Sequence, residues 1–520
     1  MKRINVNFST ILLCVTAWLV LAYSAALRDS LENYAVYPIT QIKLLAFVAC
    51  VYGLLLVLAR ILNIFKPVAI GLIVLAAPAA FFMQQYGILI DPDMLINALE
   101  TDPAEAHDQL SLGLFFYVIF MGIVPALILA FLKILPTGFF KRLKQGVIIG
   151  LCFTIFSIGI VMTSYDDFAS LFRNHRDIKY RIVPFNVISA SVSVAKQKLS
   201  KPSEFVTQGE DAFREISAET KPKVMVVILG ETARADHFSV NGYPRPTTPR
   251  LEQLERSGEI ASYDEAVSCG TATAISVPCM FSFYNADNYD QAARNTTNVL
   301  DVLDTVGIHV TWVENNSGCK NVCDRINTLK IPPEMCAANQ DCFDTALIDL
   351  FHEWIENVKG DSIVVLHQMG SHGPAYFERS PEQLKKFLPE CTSAELTECA
   401  REEIVNAYDN SLVVTDEMVA AIIELLKNDM RLDASLMYVS DHGESLGDNG
   451  VYLHGLPKWL APKEQTHIPW IVWPSNHFKA NARTDNQQVS HDNLSHTLLG
   501  YFKVKTELYD SRLDLTSHHR

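Results

Sequence analysis

The sequence predicts two physically different parts: an α-helical transmembrane domain of five spans, then an outer α/β domain with a largely parallel sheet. Three observations carry this expectation. Five apolar stretches, each near the ~20 residues a helix needs to cross ~30 Å of hydrocarbon, fall in the first third of the chain. Charge is unevenly divided: residues 1–170 hold ten basic and ten acidic side chains, so the whole −15 of the 520-residue chain belongs to the remainder. From Lys221 onward, short β-branched runs alternate with helical patterns, as in a parallel sheet covered on both faces. An acidic outer half excludes nucleic acid as a partner, because a phosphate backbone demands a basic surface.

The spans are expected at 10–27, 44–65, 67–87, 114–135 and 147–163. A cleaved signal peptide would explain only the first of them. Orientation follows from the short loops. Lys2, Arg3, Arg60, Lys66, Lys133, Lys141, Arg142 and Lys144 mark one side, whereas the connection 88–111 has no Lys or Arg and carries six acids. The basic side is therefore cytoplasmic, and an odd number of spans puts everything after about Ser164 outside. The cysteines give an independent reading of that side. Cys14, Cys50 and Cys152 lie in spans as small apolar residues. The other eight form close couples, expected as disulfides Cys269–Cys279, Cys319–Cys323, Cys336–Cys342 and Cys391–Cys399 in an oxidising compartment. The Cys319-x3-Cys323 spacing also suits a zinc ligand pair. The run 173–201 is basic with interleaved apolar residues and reads as a membrane-surface helix or as a solvated linker. These features give three regions: 1–165 transmembrane, 166–220 basic connector, 221–520 outer catalytic domain.

Strands are expected at 224–229, 308–313, 362–366, 436–439 and 468–472, with helices at 347–357, 400–426 and 494–502 between and after them. Such sheets bind ligands beyond the carboxyl ends of their strands. Four strands run directly into acids, amides or histidines: Glu231, then Asn315-Asn316, then His367 through His372, then Asp441-His442-Gly443-Glu444. Glu231, Asp441 and His442 offer mixed oxygen and nitrogen donors, a set suited to Zn²⁺ rather than Mg²⁺. A nucleophile is expected in the run from Cys269 to Cys279, where glycine, a hydroxyl residue and small residues open a helix that can cradle a phosphate. Ser268, Thr271 and Thr273 are all available there, and each could equally serve as a helix cap. His372 and His454 suit phosphate contact or proton transfer.

At this point the chain resembles a known family. The runs Gly230-Glu231-Thr232-Ala233-Arg234-Ala235-Asp236-His237, Cys269-Gly270-Thr271-x-Thr273-Ala274-x-Ser276-Val277-Pro278-Cys279-Met280, Asn315-Asn316-Ser317, His367-Gln368-Met369-Gly370-Ser371-His372-Gly373-Pro374, Ser440-Asp441-His442-Gly443-Glu444-Ser445-Leu446-Gly447 and Tyr452-Leu453-His454-Gly455 resemble the lipid A phosphoethanolamine transferases, including the mobile colistin-resistance type. The resemblance covers essentially the whole chain. It implies an outer domain of alkaline phosphatase/sulfatase type, periplasmic, on a multi-pass protein of the bacterial inner membrane. It implies transfer of phosphoethanolamine from phosphatidylethanolamine to lipid A, and resistance to polymyxin. Carried over by motif, Thr271 is the expected nucleophile. Glu231, Thr271, Asp441 and His442 are expected to hold a catalytic zinc. His372 and His454 would contact phosphoethanolamine, move a proton or bind a second zinc. Asn316 and Lys320 are expected to bind substrate, and Asn97, Thr101 and Glu105 to meet the lipid headgroup. Membrane lipids are the expected partners and a monomer the expected state. Other lipopolysaccharide sugars as acceptor, or phosphoglycerol transfer or hydrolysis by the same core, are the alternatives.

Overall fold

A computed structural model describes residues 5–101, 106–107, 109–199, 205–214, 221–336, 342–474 and 489–516. By its contacts the chain divides into two compact units: Met1–Leu95 with Leu110–Lys198, and Ile96–Gln109 with Leu199–Arg520.

The first unit is helical, since lipid leaves no partner for an unpaired backbone group. Its main helices are α1 (Phe8–Tyr23), α2 (Pro38–Ile61), α3 (Phe65–Tyr86), α4 (Leu112–Phe131), α5 (Phe139–Met162), α6 (Tyr165–Asn174) and α7 (Phe185–Leu199). Among the described residues α2, α3, α4 and α5 are each long and apolar enough to span a bilayer. The first expected span is broken: α1 ends at Ser24 and the chain continues as helix Ala25–Asn33, bent by 53°. The two pieces make a fifth span only if counted together. Small residues let α2 and α5 approach closely. A Cβ on Gly53 would lie 2.5 Å from the Phe153 ring, and one on Gly146 would lie 2.6 Å from Ile61, which is how helices associate in lipid without a hydrophobic driving force. The basic run after α5 packs within this unit. Asp177 is buried, accepting hydrogen bonds from Tyr34 Oη (2.6 Å) and Arg181 Nε (2.8 Å), and Phe185 stacks on Tyr52.

The second unit is built on a seven-stranded sheet: β1 (Lys223–Gly230), β2 (Ala261–Val267), β3 (His309–Glu314), β4 (Asn327–Lys330), β5 (Ser362–His367), β6 (Asp433–Ser440) and β9 (His467–Trp473). A small hairpin, β7 (Ser445–Asp448) and β8 (Val451–Leu453), lies apart from it. The spatial order is β2-β9-β6-β1-β5-β3-β4. β6, β1, β5, β3 and β4 run parallel, and β9 and β2 are antiparallel to their neighbours. The central strands β1 and β5 are buried along their whole length, as expected when helices cover both faces. Among its helices are α8 (Thr273–Met280), α9 (Val299–Thr305), α10 (Ala346–Glu356), α11 (Arg401–Asn428) and α12 (Asp492–Tyr501).

Trp312 of β3 is wholly buried, its ring 5.7 Å from Phe281, and it donates from Nε1 to Glu314 Oε2 (2.7 Å). Trp312→Ala removes that packing and that bond. A loss of about 3–5 kcal/mol is expected, read as a lower unfolding temperature of the α/β unit by calorimetry.

Candidate active site

Register builds the centre of the site. β1 and β6 are adjacent and parallel, with Gly230 paired to Ser440, so the next residues, Glu231 and Asp441, leave the same sheet edge side by side. The Asp441 N–H donates back to the Gly230 carbonyl (2.9 Å), and Thr232 N–H donates to Asp441 Oδ1 (3.2 Å). The turn after Glu231 is left-handed at Thr232 (φ 51°), a conformation disfavoured for a β-branched residue. Tyr408 holds it by donating to the Thr232 carbonyl (2.8 Å) and accepting from Arg234 N–H (2.9 Å). Gly370 passes under Glu231 with φ 58°; a Cβ there would come 2.6 Å from the Glu231 carbonyl oxygen, so only glycine fits.

Ligand atoms of Glu231, Asp441 and His442 lie within 4.8 Å of one another, and all three residues are buried. His442 Nδ1 is placed to donate to the Gly443 carbonyl (2.9 Å), which leaves Nε2 as an acceptor facing the carboxylates, 3.4 Å from Glu231 Oε1 and 3.2 Å from Asp441 Oδ2. Burial pushes the His442 pKa down to about 4, so the ring is neutral. Asp441 Oδ2 is buried without a hydrogen-bond partner among the described residues. Two wholly buried carboxylates are costly unless a cation compensates them. The residues fit one: two hard oxygen donors, one neutral imidazole and an unsatisfied carboxylate oxygen match a divalent metal of zinc type.

The hydroxyl brought to this cluster is that of Thr273. Its Oγ1 is 3.2 Å from each oxygen of Glu231 and 3.3 Å from His442 Nε2. Thr271, expected there from the sequence, faces elsewhere: its Oγ1 donates to the Leu456 carbonyl (2.6 Å) and its own carbonyl accepts from Gly455 N–H (2.8 Å). Ala272 is extended (φ −151°, ψ 146°) and Thr273 is the first residue of α8. The helix start aims Thr273 at the β1 and β6 ends, and Thr271 ties down the turn that carries His454.

The two other histidines gather beside the cluster. The His454 ring centroid is 4.4 Å from that of His442 and 5.4 Å from that of His372. His454 Nδ1 bonds Glu444 Oε2 (2.8 Å), and Tyr376 Oη donates to the other oxygen of Glu444 (2.5 Å). Asn316 Nδ2 donates to Glu231 Oε2 (2.9 Å) and to the Gln368 carbonyl (2.7 Å). Lys320 Nζ donates to the carbonyl and Oγ of Ser317 (both 3.0 Å) and to the Glu100 carbonyl (3.2 Å). Glu100 in turn is paired with Arg294 (3.0 Å). Thr101 Oγ1 donates to the Asn97 carbonyl (2.9 Å) on the same segment; Glu105 lies outside the described residues. The four expected disulfides are formed, so Cys319 and Cys323 bond each other and the zinc reading of that pair falls.

Sequence patterns missed one connector. His491 is buried, accepting at Nδ1 from Cys269 N–H (3.0 Å) and donating from Nε2 to the Ser440 carbonyl (2.9 Å). It thereby joins the loop of Thr273 to the strand of Asp441. Burial holds it neutral, with its pKa pushed down to about 4, which this donor-and-acceptor role requires. No motif surrounds it, and its partners lie 222 and 51 residues away. His491→Leu is expected to cut activity roughly 10–100-fold with the fold intact by circular dichroism, as loss of an orienting partner does. His491→Gln, which keeps a donor and an acceptor, should recover part of it.

The family model for phosphoethanolamine transferase EptA/EptB matches residues 47–199, and the sulfatase family model matches residues 223–504. Phosphoethanolamine transferase EptA of Escherichia coli K12 is 38% identical over 507 residues, covering 94% of this chain and 91% of that protein. Phosphatidylethanolamine transferase Mcr-1 of Escherichia coli is 36% identical over 502 residues, covering 92% of each. The solved structure of the integral membrane lipooligosaccharide phosphoethanolamine transferase A of Neisseria meningitidis superposes with a TM-score of 0.93 at 30% identity, covering 99% of both chains. Similarity of sequence and structure over nearly the whole length, helical unit included, means that the chain belongs to the membrane-embedded phosphoethanolamine transferases of the alkaline phosphatase/sulfatase superfamily.

Proposed function

We propose that this enzyme moves phosphoethanolamine from phosphatidylethanolamine to a phosphate of lipid A, with Thr273 as the covalent carrier. The observation that carries the reading is the Thr273 hydroxyl, 3.2 Å from both oxygens of Glu231 and 3.3 Å from His442 Nε2 at the start of a helix. In the first half-reaction Thr273 Oγ1 gives its proton to the neighbouring Glu231 carboxylate and attacks the donor phosphorus, the bond from phosphorus to the glycerol oxygen breaks, and diacylglycerol leaves with a proton supplied from the His372 and His454 side. In the second, a lipid A phosphate oxygen passes its proton back to the histidine side and attacks the same phosphorus, the bond to Thr273 breaks, and Glu231 returns the proton that restores the hydroxyl. The N–H groups of Thr273 and Ala274, which precede the bonds from Ile275 and Ser276 to the Ala272 carbonyl, suit the phosphoryl oxygens. A zinc ion held by Glu231, Asp441, His442 and Thr273 would lower the pKa of the hydroxyl and offset phosphoryl charge. A second ion would fall to His372 and His454. Asn316 and Lys320 would orient the donor, with Asn97 and Thr101 near the headgroup.

The chain is a multi-pass protein of the bacterial inner membrane with its α/β unit in the periplasm. Anchoring places enzyme, donor and acceptor in one leaflet and raises their effective concentration. An added ammonium group weakens the attraction of lipid A for cationic peptides, hence polymyxin resistance.

Mass spectrometry of lipid A from expressing cells tests the assignment. Wild type should show the phosphoethanolamine increment, and Thr271→Ala should retain it at a reduced level. Thr273→Ala should lose it, a fall of at least about 10³-fold as for removal of other covalent nucleophiles. Persistent transfer by Thr273→Ala would overturn the carrier assignment. An increment on another sugar, or of phosphoglycerol, would move the acceptor or the donor. Metal analysis of the purified chain should give about one zinc or more per molecule, falling in Asp441→Asn together with activity.

A further inference from the structure

The helical unit contains a groove that the transfer reaction does not use. It has a volume of about 310 Å³ and is lined by Thr10, Cys14 and Trp18 of α1, by Phe120 and Ile128 of α4, and at one end by Leu132, among others. Thr10, Cys14 and Trp18 repeat every four residues, so they form one stripe of α1 about 12 Å long. That is close to the ~15 Å hydrocarbon depth of a single leaflet. At the inner end α4 is wound as a π-helical turn over Val118–Ile123, a costly local geometry that recurs at functional positions. The Met121 carbonyl of this turn accepts from Tyr23 Oη (2.5 Å) and Trp18 Nε1 (3.3 Å). The indole N–H is thus consumed, and the Trp18 ring offers the groove an apolar wall.

The end of the groove at Val6 and Leu132 is basic. Val6, which lines the groove, pairs with Ile134, and Asn5 pairs with Lys133, whose side chain is exposed. Lys66 Nζ donates to the carbonyls of Ala130 (2.9 Å) and Leu132. Arg60 reaches the next turn at Thr137 Oγ1 (3.1 Å). The stretches 33–90 and 109–165 contain no Asp or Glu, so no carboxylate from these helices neutralises that rim. By the loop charges this end faces the cytoplasm.

We propose that the groove is a binding site for one anionic phospholipid of the cytoplasmic leaflet, with an acyl chain along the α1 stripe and the phosphate at Lys133 and Lys66. Basic pockets at the cytoplasmic ends of membrane helices recognise such headgroups. The site is on the leaflet opposite to the chemistry, so its occupant is a bound lipid of the scaffold and not the donor.

The test uses the full chain in detergent, incubated with an equimolar mixture of dioleoyl phosphatidylglycerol and dioleoyl phosphatidylethanolamine, with retained lipid counted by native mass spectrometry. Wild type should retain phosphatidylglycerol about tenfold over phosphatidylethanolamine. Lys133→Glu, a change at an exposed position, should bring the ratio near one. Cys14→Trp should remove the retained phosphatidylglycerol by filling the groove; transferase turnover in each variant reports that the fold and the donor site are intact. Equal retention of the two lipids by wild type, or unchanged retention in Cys14→Trp, would overturn the proposal.

Discussion

Two carboxylates and an imidazole, buried together at the end of adjacent parallel strands, are the constraint on which the α/β unit depends. Glu231, Asp441 and His442 are all shielded from water, and two like charges buried side by side are costly without a compensating cation. Asn316, Thr273 and the Thr232 N–H donate to these carboxylates, and the donor set as a whole suits a divalent metal. Much of the surrounding polar structure serves to hold this unfavourable arrangement. Tyr408 braces the left-handed turn at Thr232, Gly370 leaves room for the Glu231 backbone, and His491 ties the β6 end to the threonine loop. A site assembled in this way is stiff before substrate arrives, as electrostatic stabilisation of a phosphoryl group requires.

The parts legible in the sequence were those fixed by local pattern or uniform burial. β1 and β5 are buried on both faces and so read as continuous apolar runs. The edge strands Ala261–Val267 and Asn327–Lys330 were not expected, because one is interrupted by Asp264 and Glu265 and the other is Asn-Thr-Leu-Lys. Their strand character comes from pairing, which no local signal records. Four spans followed directly from apolar length, whereas the break of the first at Ser24 carries no glycine or proline to announce it.

The choice between Thr271 and Thr273 shows the same limit at the level of one side chain. Both follow Gly270, with a single alanine between them, and either could open a helix. What separates them is an acceptor 185 residues away, the Leu456 carbonyl, which captures Thr271 Oγ1. Motif spacing finds the loop. Tertiary hydrogen bonding separates the two hydroxyls within it.

That assignment has a mechanistic consequence. As the proposed carrier, Thr273 would act as nucleophile in one half-reaction and as leaving group in the next, so its oxygen would have to occupy nearly the same place in both. A mobile loop would serve one step at the expense of the other. The Thr271 hydroxyl and carbonyl both bond the 455–456 turn, the Cys269–Cys279 disulfide closes the run that begins α8, and His491 holds the Cys269 amide. The turn fixed by Thr271 also carries His454, whose Nδ1 is bonded to Glu444 and whose ring lies beside that of His442. Under the proposed mechanism one short threonine run would set both the position of the attacking oxygen and that of the group beside the departing one, coupling the two half-reactions to a single rigid element.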